Sequence, residues 1–531
     1  MTPRRATETT LWTAAIVSTL VLFALRAHVA VGTGFGDSEA LYASYALFPQ
    51  PAYLDHPGLI GSIARLIGRG AAPTPLSTHL LTACLAAAVP WVGALASLAA
   101  GARLRGALAV ALTLTWVPEL AIGLFGLTPD LPLALAWLGA LGLFARAARS
   151  PTHSFTAFIC TLGVGALVGL ATLSKLSGAL LGISLLAAAF HRDLRPRFRT
   201  VAPWAALAVA LILIAPLVLF ELGQGWPMAR HRLISTQSAA GFSLRNLGAF
   251  VGGQVAYVTP PFLLGAVLVT RDLIRRRRED AVSAMLFTCL VVTTLPLALL
   301  CLWSRVAEPH WFAPTYLALA IQVGRTEIVG PRLARGSVIT GVAVVAFAWL
   351  WIRTPLAPRW LGESYRPRYD IANDLYAWGP GRELLDAVIA RSSAAEAEGL
   401  VVVGPHWTIC AQVQAHLGRR VRVGCNGPRR DDFDDWLPRD HWADVRHLIF
   451  VHDSRFRVDP ERDLPGRVLR DVSQVNVVRG GRVVRTIWVT HLEKTGAAAF
   501  AQPGAALSPA ERISSASASG PGFGVVSSVS P

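Results

Sequence analysis

Apolar runs of around 20 residues recur through the first two thirds of this 531-residue chain, and they leave it few ways to fold. A run of that length with almost no charge is long enough to cross the hydrocarbon core of a bilayer as one helix. Candidate crossings lie at 11–31, 77–100, 104–124, 128–148, 155–173, 176–190, 201–222, 249–270, 281–303, 310–324 and 336–353. The pattern predicts a polytopic α-helical membrane protein with about eleven transmembrane helices. The stretch 155–190 is nearly unbroken. As a single helix it would be roughly 54 Å long, against a core of about 30 Å. It therefore crosses twice, with Lys175, its one charge, at the turn. The first run follows Arg4 and Arg5, as a signal peptide would. Its length and the lack of a clean small-x-small cleavage site favour a retained helix.

Composition agrees. Only 15% of residues are charged and 53% are hydrophobic, with a mean hydropathy of +0.46; soluble proteins carry about a quarter charged residues. The formal charge of +16 raises nucleic acid as a partner. The basic residues, however, come in bursts between apolar runs, such as Arg275 to Arg278, and read as orientation signals. With the N-terminus in the cytoplasm, the inner loops hold Arg103, Arg105, Arg146, Arg149, Arg192 to Arg199, Arg271 to Arg278, and Arg325 to Arg335. The outer loops hold far fewer. An odd number of crossings then places the C-terminal part outside a multi-pass inner-membrane protein.

Residues 1–353 form the expected transmembrane module, with its first extracytoplasmic loop at 32–76. Residues 354–495 are polar and aromatic, with β-rich runs at 400–403, 421–423, 448–451 and 483–489, and helical patterns near 382–398 and 409–417. That alternation predicts a small extracytoplasmic α/β domain. The Ala/Ser/Gly/Pro-rich end, 496–531, reads as a disordered tail. Cys84, Cys160, Cys289 and Cys301 sit in apolar runs as small core residues. Cys410 and Cys425 lack a zinc-motif spacing; an oxidising compartment would allow them to pair.

The outer loops collect the ionisable residues. The first, GDSEALYASYALFPQPAYLDHPG at 36–58, carries Asp37 and Glu39 at one end and Asp55 and His56 at the other, with Tyr42, Tyr45, Phe48 and Tyr53 between. Such a mix suits an amphipathic segment at a membrane surface; a solvated loop with chance acids is the plainer reading. Thr128-Pro129-Asp130, Leu173-Ser174-Lys175, the stretch 221–232 and the stretch 305–311 fall on the same side. Charges near the hydrocarbon boundary are costly and tend to be functional or paired, so five loops supplying them to one face predict a shared site. There is no Gly-rich phosphate loop, Walker motif or Ser/His/Asp arrangement, which argues against an ATP-driven pump or a hydrolase.

Asp37-Ser38-Glu39-Ala40 followed by Asp55-His56-Pro57 resembles the first-loop signature of the GT-C glycosyltransferases of family 39 and the aminoarabinose-transferase-like proteins. That signature is an Asp-Glu-Ala followed by Asp-His-Pro-Pro. Thr128-Pro129-Asp130, Leu173-Ser174-Lys175, Glu308-Pro309-His310-Trp311 and Asn373-Asp374-Leu375-Tyr376-Ala377-Trp378 match in the same order, so the resemblance covers most of 10–450. Two positions depart from it: Ser38 stands where the family has its Asp, and Gly58 replaces the second Pro. The resemblance implies a polyprenyl-phosphate-linked sugar donor and an extracytoplasmic acceptor.

The chemistry can be argued from the residues. A sugar on a lipid phosphate carries a leaving group that departs as an anion. The enzyme needs a carboxylate to take the acceptor's proton and cations to hold the phosphate. Asp37 is the first choice for the base and Glu39 the second, although Glu39 could instead orient a neighbour or hold a cation. Lys175 is the leading phosphate ligand, with Arg230, Arg305 and His310 beside it and His231 and Arg232 as further candidates; snorkelling to lipid headgroups is the alternative for each arginine. Asp55, His56, Asp130 and Glu308 are candidate substrate-binding residues. Asp55 and His56 also have the donor types for a divalent metal ion, while Asp55 could equally cap the next helix and Asp130 could stabilise a helix start. Trp226, Trp311 and Tyr257 suit an interfacial aromatic belt, and the acidic run 431–435 a solvated loop. The expectation is an integral-membrane, inverting glycosyltransferase with membrane lipid and no nucleic acid as partner. A transporter or lipid flippase and an inactive GT-C-like scaffold are the alternatives.

Overall fold

The structure, a computed structural model, describes residues 3–237, 241–304, 308–326, 328–391, 400–456 and 458–495. Arg305, part of the 382–398 helical pattern and the 496–531 tail lie outside these residues. The chain divides into two compact units. One comprises 1–32 with 45–353; the other comprises 33–44 with the residues from 354 onward.

The first unit is helical. Among the described residues seven helices are long and apolar enough to cross a membrane: Glu8–Ala30, Pro75–Ala99, Asp130–Arg149, Phe155–Ser174, Ala202–Gly223, Ala281–Trp303 and Pro331–Arg353. Leu20, Ile212, Leu219, Leu295, Leu299 and Phe347 on them are exposed, as lipid-facing side chains are. This is a multi-pass membrane protein.

The four remaining runs read from the sequence as straight crossings are shorter or broken, and the local chemistry accounts for much of this. Residues 249–270 belong to Leu244–Val258 and Pro260–Arg276, which meet at 98°. Pro260 has no N–H and disfavours helical geometry in the residue before it; Thr259 leaves the helix with ψ 150, as a residue before proline does, and with φ +69, which proline does not require. Pro118 acts alike: Leu104–Trp116 stops at an extended Val117 before the short helix Pro118–Gly123. Arg26, buried in the first helix, donates to the carbonyls of Leu120 (2.7 Å) and Ala121 (2.9 Å) and so satisfies part of that interrupted backbone. Residues 176–190 are a 3₁₀ turn and the helix Ala179–Ala189, and 310–324 a 3₁₀ turn and the helix Ala313–Arg325. A 13-residue helix is about 20 Å long. Small residues let the helices approach closely: a Cβ on Gly106 would lie 2.0 Å from the Gly324 carbonyl oxygen.

The second unit holds a five-stranded sheet, β1 (Val401–Gly404), β2 (Arg422–Cys425), β3 (His447–Asp453), β4 (Arg467–Arg479) and β5 (Arg482–Lys494), in the order β2-β1-β3-β5-β4. β1 pairs in parallel with β2 and β3, and β5 is antiparallel to β3 and β4. The helix Trp407–Leu417 connects β1 to β2. Val401, Val403, Leu448, Phe450, Leu492 and Trp442 form the core. β4 escaped the sequence reading because it is an edge strand whose side chains are mostly exposed and polar. Gly480 and Gly481, both at positive φ, make its hairpin turn to β5. Helix Asp37–Ser44 belongs to this unit and packs on Trp407–Leu417: Ser44 donates to the Ala411 carbonyl (3.3 Å) and Gln412 Nε2 to that of Phe35 (3.0 Å). Cys410 and Cys425 are both free and buried.

Candidate functional site

In the membrane unit the outer loops supply two linked groups of side chains. Lys175 follows helix Phe155–Ser174 in extended geometry and begins a 3₁₀ turn. Gly178 lies in that turn, so close to the preceding helix that a Cβ would stand 2.0 Å from the Ala171 oxygen. The turn is thus pressed against the helix end, and it aims Lys175 at Asp130, the first residue of helix Asp130–Arg149. Nζ and Oδ1 are 2.8 Å apart. Ser174 Oγ donates to the Pro129 carbonyl (2.7 Å), tying the two loops together. His310 Nε2 lies 4.0 Å from the other Asp130 oxygen, and its Nδ1 3.1 Å from Glu308. The Lys175 ammonium stands 5.6 Å from the centre of the Trp311 ring, within cation–π range.

The second group centres on Asp55. Glu221 accepts from the backbone N–H groups of Met228 (3.2 Å) and Ala229 (3.1 Å), which anchors the short helix Pro227–Leu233 by its first turn. From that helix, His231 Nε2 and Arg232 Nε each lie 3.5 Å from Asp55 Oδ1. Arg232 also donates to the Asp55 carbonyl (2.9 Å), and its Nη2 is 3.4 Å from His56 Nε2. Burial raises the Asp55 pKa, but the hydrogen bond from His231 and the charge of Arg232 outweigh it and hold the carboxyl at about 2. Burial, then the fields of Arg232 and Lys175, push His56 down to about 3. Since the charges of Lys175 and Asp130 both act on His56, the two groups share one electrostatic environment.

Of the other four outer loops, 221–232 contacts the first loop's Asp55-His56 end, and the remaining three contact one another around Asp130, from where Lys175 and Asp130 act on His56 through their charges. Arg230 is exposed and takes no part in these contacts; Arg232, two residues on, does. Arg305 lies outside the described residues. Glu119 escaped the sequence reading: it is buried in Pro118–Gly123, and its Oε1 has no hydrogen-bond partner among the described residues. The signal was present, as an acid inside the apolar run 104–124.

The other end of the first loop lies in the second unit. Asp37 opens its helix and is ion-paired with Arg455, while Gln412 Nε2 donates to its Oδ1 (3.2 Å). Arg455 in turn reaches Asp453 (2.9 Å) and Asp374 (3.5 Å), and Arg485 bridges the same two acids. Glu39 is buried and accepts, at 3.4 Å, from the Gly36 N–H just before its own helix. Arg455 and Asp453 have no motif in the sequence and could not have been chosen from it.

A divalent metal does not fit the Asp55–His56 pair, because the Arg232 guanidinium already lies against both side chains. Among the described residues no three His, Cys, Asp or Glu side chains are grouped as ligands. The arrangement suits an anion instead: Lys175 and Arg232 are two cations of one polar cluster, each balanced by a carboxylate that a phosphate could replace.

A family model described as dolichyl-phosphate-mannose-protein mannosyltransferase matches residues 76–220. None of the curated proteins matches the sequence significantly. Among solved structures, the chain is similar to ArnT from Cupriavidus metallidurans bound to undecaprenyl phosphate, at 16% identity and a TM-score of 0.58. That likeness covers 91% of this chain and 97% of the other. It is similar also to the apo state of the same protein, at 15% identity and a TM-score of 0.59, covering 93% and 99%. At these identities the likeness establishes the fold, the GT-C architecture that the loop motifs led us to expect.

Proposed function

We propose that this protein transfers a sugar from a polyprenyl-phosphate donor to an extracytoplasmic acceptor. The observation that carries the reading is the Lys175–Asp130 pair, joined to Arg232 and Asp55 on a fold shared with a protein that binds undecaprenyl phosphate. In this reading Lys175 and Arg232 hold the donor phosphate and stabilise the charge it gains as the bond to the anomeric carbon breaks. Asp130 and Asp55 keep the two cations oriented until the donor arrives. The acceptor hydroxyl attacks the anomeric carbon from the opposite face, inverting it, and gives its proton to a carboxylate. Asp37 is assigned that role from its place in the first-loop motif; Glu39, turned toward its own helix start, is the weaker choice. The arginine-rich loops orient the N-terminus toward the cytoplasm of an inner membrane.

The test is mass spectrometry of envelope glycans in a strain lacking the protein, complemented with wild type or Lys175→Ala. We expect one glycan to lose a sugar and only wild type to restore it. An unaltered envelope would reject the transferase reading, and rescue by the variant would reject the phosphate site.

A further inference from the structure

The two cysteines of the second unit meet in its core. Cys410 lies in the first half of helix Trp407–Leu417, and Cys425 ends β2. Both are buried, at 0% and 1% exposure. β1 and β2 pair in parallel with Gly404 beside Cys425, and paired residues of neighbouring strands send their side chains to the same face. A Cβ on Gly404 would stand 2.9 Å from Cys410 Sγ. The helix thiol therefore fills the space that a side chain at 404 would take, next to the side chain of Cys425. Cys410 Sγ also donates to the carbonyl of Gly424, 3.3 Å away and one residue before Cys425. The two thiols are within hydrogen-bond reach of each other.

A single buried cysteine is an ordinary small core residue. Two in contact are one oxidation away from a disulfide, because the bond needs Cβ atoms about 3.5–4.5 Å apart and side-chain rotation then closes it. Disulfides form and persist outside the cytoplasm, the side to which the arginine-rich loops assign this unit. The other cysteines, Cys84, Cys160, Cys289 and Cys301, lie in helices of the membrane unit.

We propose that Cys410 and Cys425 form a disulfide in the protein as it stands in the cell envelope, stapling helix Trp407–Leu417 to β2. The proposal rests on the extracytoplasmic placement of the second unit and not on sugar transfer. The oxidant is another disulfide. The thiolate of one cysteine attacks it, forming a mixed disulfide and releasing one thiol; the thiolate of the second then attacks the sulfur of the first and releases the other. Each cysteine gives up one proton and one electron, and the oxidant leaves as two thiols. Exchange needs access to the sulfurs, so it belongs to folding, before the core closes. The stapled helix carries Gln412, which donates to Asp37 (3.2 Å), so the bond also fixes a neighbour of that carboxylate.

The test starts from membranes holding the full chain, denatured in N-ethylmaleimide and digested with trypsin without reduction. Arg419, Arg420 and Arg422 separate the two cysteines, so only a bridge keeps their peptides together. Mass spectrometry should find one species with the mass of both peptides less two hydrogens, lost on treatment with dithiothreitol. Cys84, Cys160, Cys289 and Cys301 should carry maleimide. Dithiothreitol should also lower the unfolding midpoint of the solubilised wild type by about 5–10 °C and leave that of Cys410→Ser/Cys425→Ser unmoved. Maleimide on both Cys410 and Cys425 would overturn the proposal, and a wild-type midpoint insensitive to dithiothreitol would overturn the staple. After the first of these results, diamide, a thiol oxidant, is added to the purified chain. Closure of the pair would then put the fault in the outer placement, and failure to close would put it in the geometry.

Discussion

Arg455 and Asp37 are 418 positions apart and form an ion pair within the C-terminal unit. Arg455 is fixed by Asp453, whose side chain is 0% exposed, and Gln412 holds the other Asp37 oxygen at 3.2 Å. The carboxylate chosen as base from its motif is therefore oriented by an arginine and a glutamine that belong to no motif.

Arg455→Ala should destabilise the protein. It leaves Asp453 buried with Arg485 as its remaining ion-pair partner at 3.0 Å. Breaking a buried pair typically costs about 3–5 kcal/mol, and the lower end applies because Arg455 is partly exposed. Thermal unfolding of the solubilised full chain checks this; a midpoint equal to wild type would show that the network contributes nothing.

Asp37→Asn separates chemistry from binding. The amide keeps the shape and one acceptor oxygen, enough for either Gln412 or Arg455 but not both, while the capacity to take a proton is lost. Transfer should slow on the order of 10²–10⁴-fold, with the affinity for undecaprenyl phosphate unchanged. Wild-type turnover in this variant would remove Asp37 from the base role.

Lys175 and Asp130 are coupled through their 2.8 Å contact. Lys175→Ala should lower kcat/KM on the order of 10²–10³-fold and also destabilise, since it leaves the Asp130 carboxylate with the more distant His310, at 4.0 Å. Adding Asp130→Asn should recover stability but not activity. A double variant as unstable as the single one would argue against the pair.

Acid should destabilise the membrane unit through His56. The folded pKa is lowered to about 3 from 6.5. Above pH 6.5 the ring is neutral in both states and contributes no pH dependence. As pH falls from 6.5 toward 3 the unfolded chain gains a proton that the folded chain refuses, so stability declines. Asp55, lowered to about 2 from 3.8, adds a second decline below pH 3.8. His56→Gln should flatten the upper part of a plot of unfolding midpoint against pH; an unchanged slope between pH 6.5 and 4 would contradict the assignment.

Thr259 occupies φ +69, ψ 150, a region that glycine tolerates and β-branched residues rarely enter. Such strain costs of order 1–3 kcal/mol. Thr259→Gly should therefore stabilise the bent helix pair by about 1 kcal/mol after the loss of the buried side chain is counted. A lowered unfolding midpoint would mean that its packing outweighs the strain.

By itself the sequence determined the class of the protein and the cast of the membrane-unit cluster. Run length and hydropathy are local, so the long crossings were legible, as were the strands at 401–404, 447–453 and 482–494. Asp55, His56, Asp130, Lys175 and His310 stood out because charge at a membrane boundary is costly wherever it occurs. Tertiary structure decided the partners. Arg230 and Arg232 look alike in a sequence, but two residues on a helix point about 200° apart, and only packing selects the one that meets Asp55. The first loop reads as one acidic segment, yet its Asp37 end belongs with the C-terminal unit and its Asp55 end with the helices. Hydrogen bonds such as Gln412 to Asp37 join residues far apart in the chain, and no local pattern encodes them.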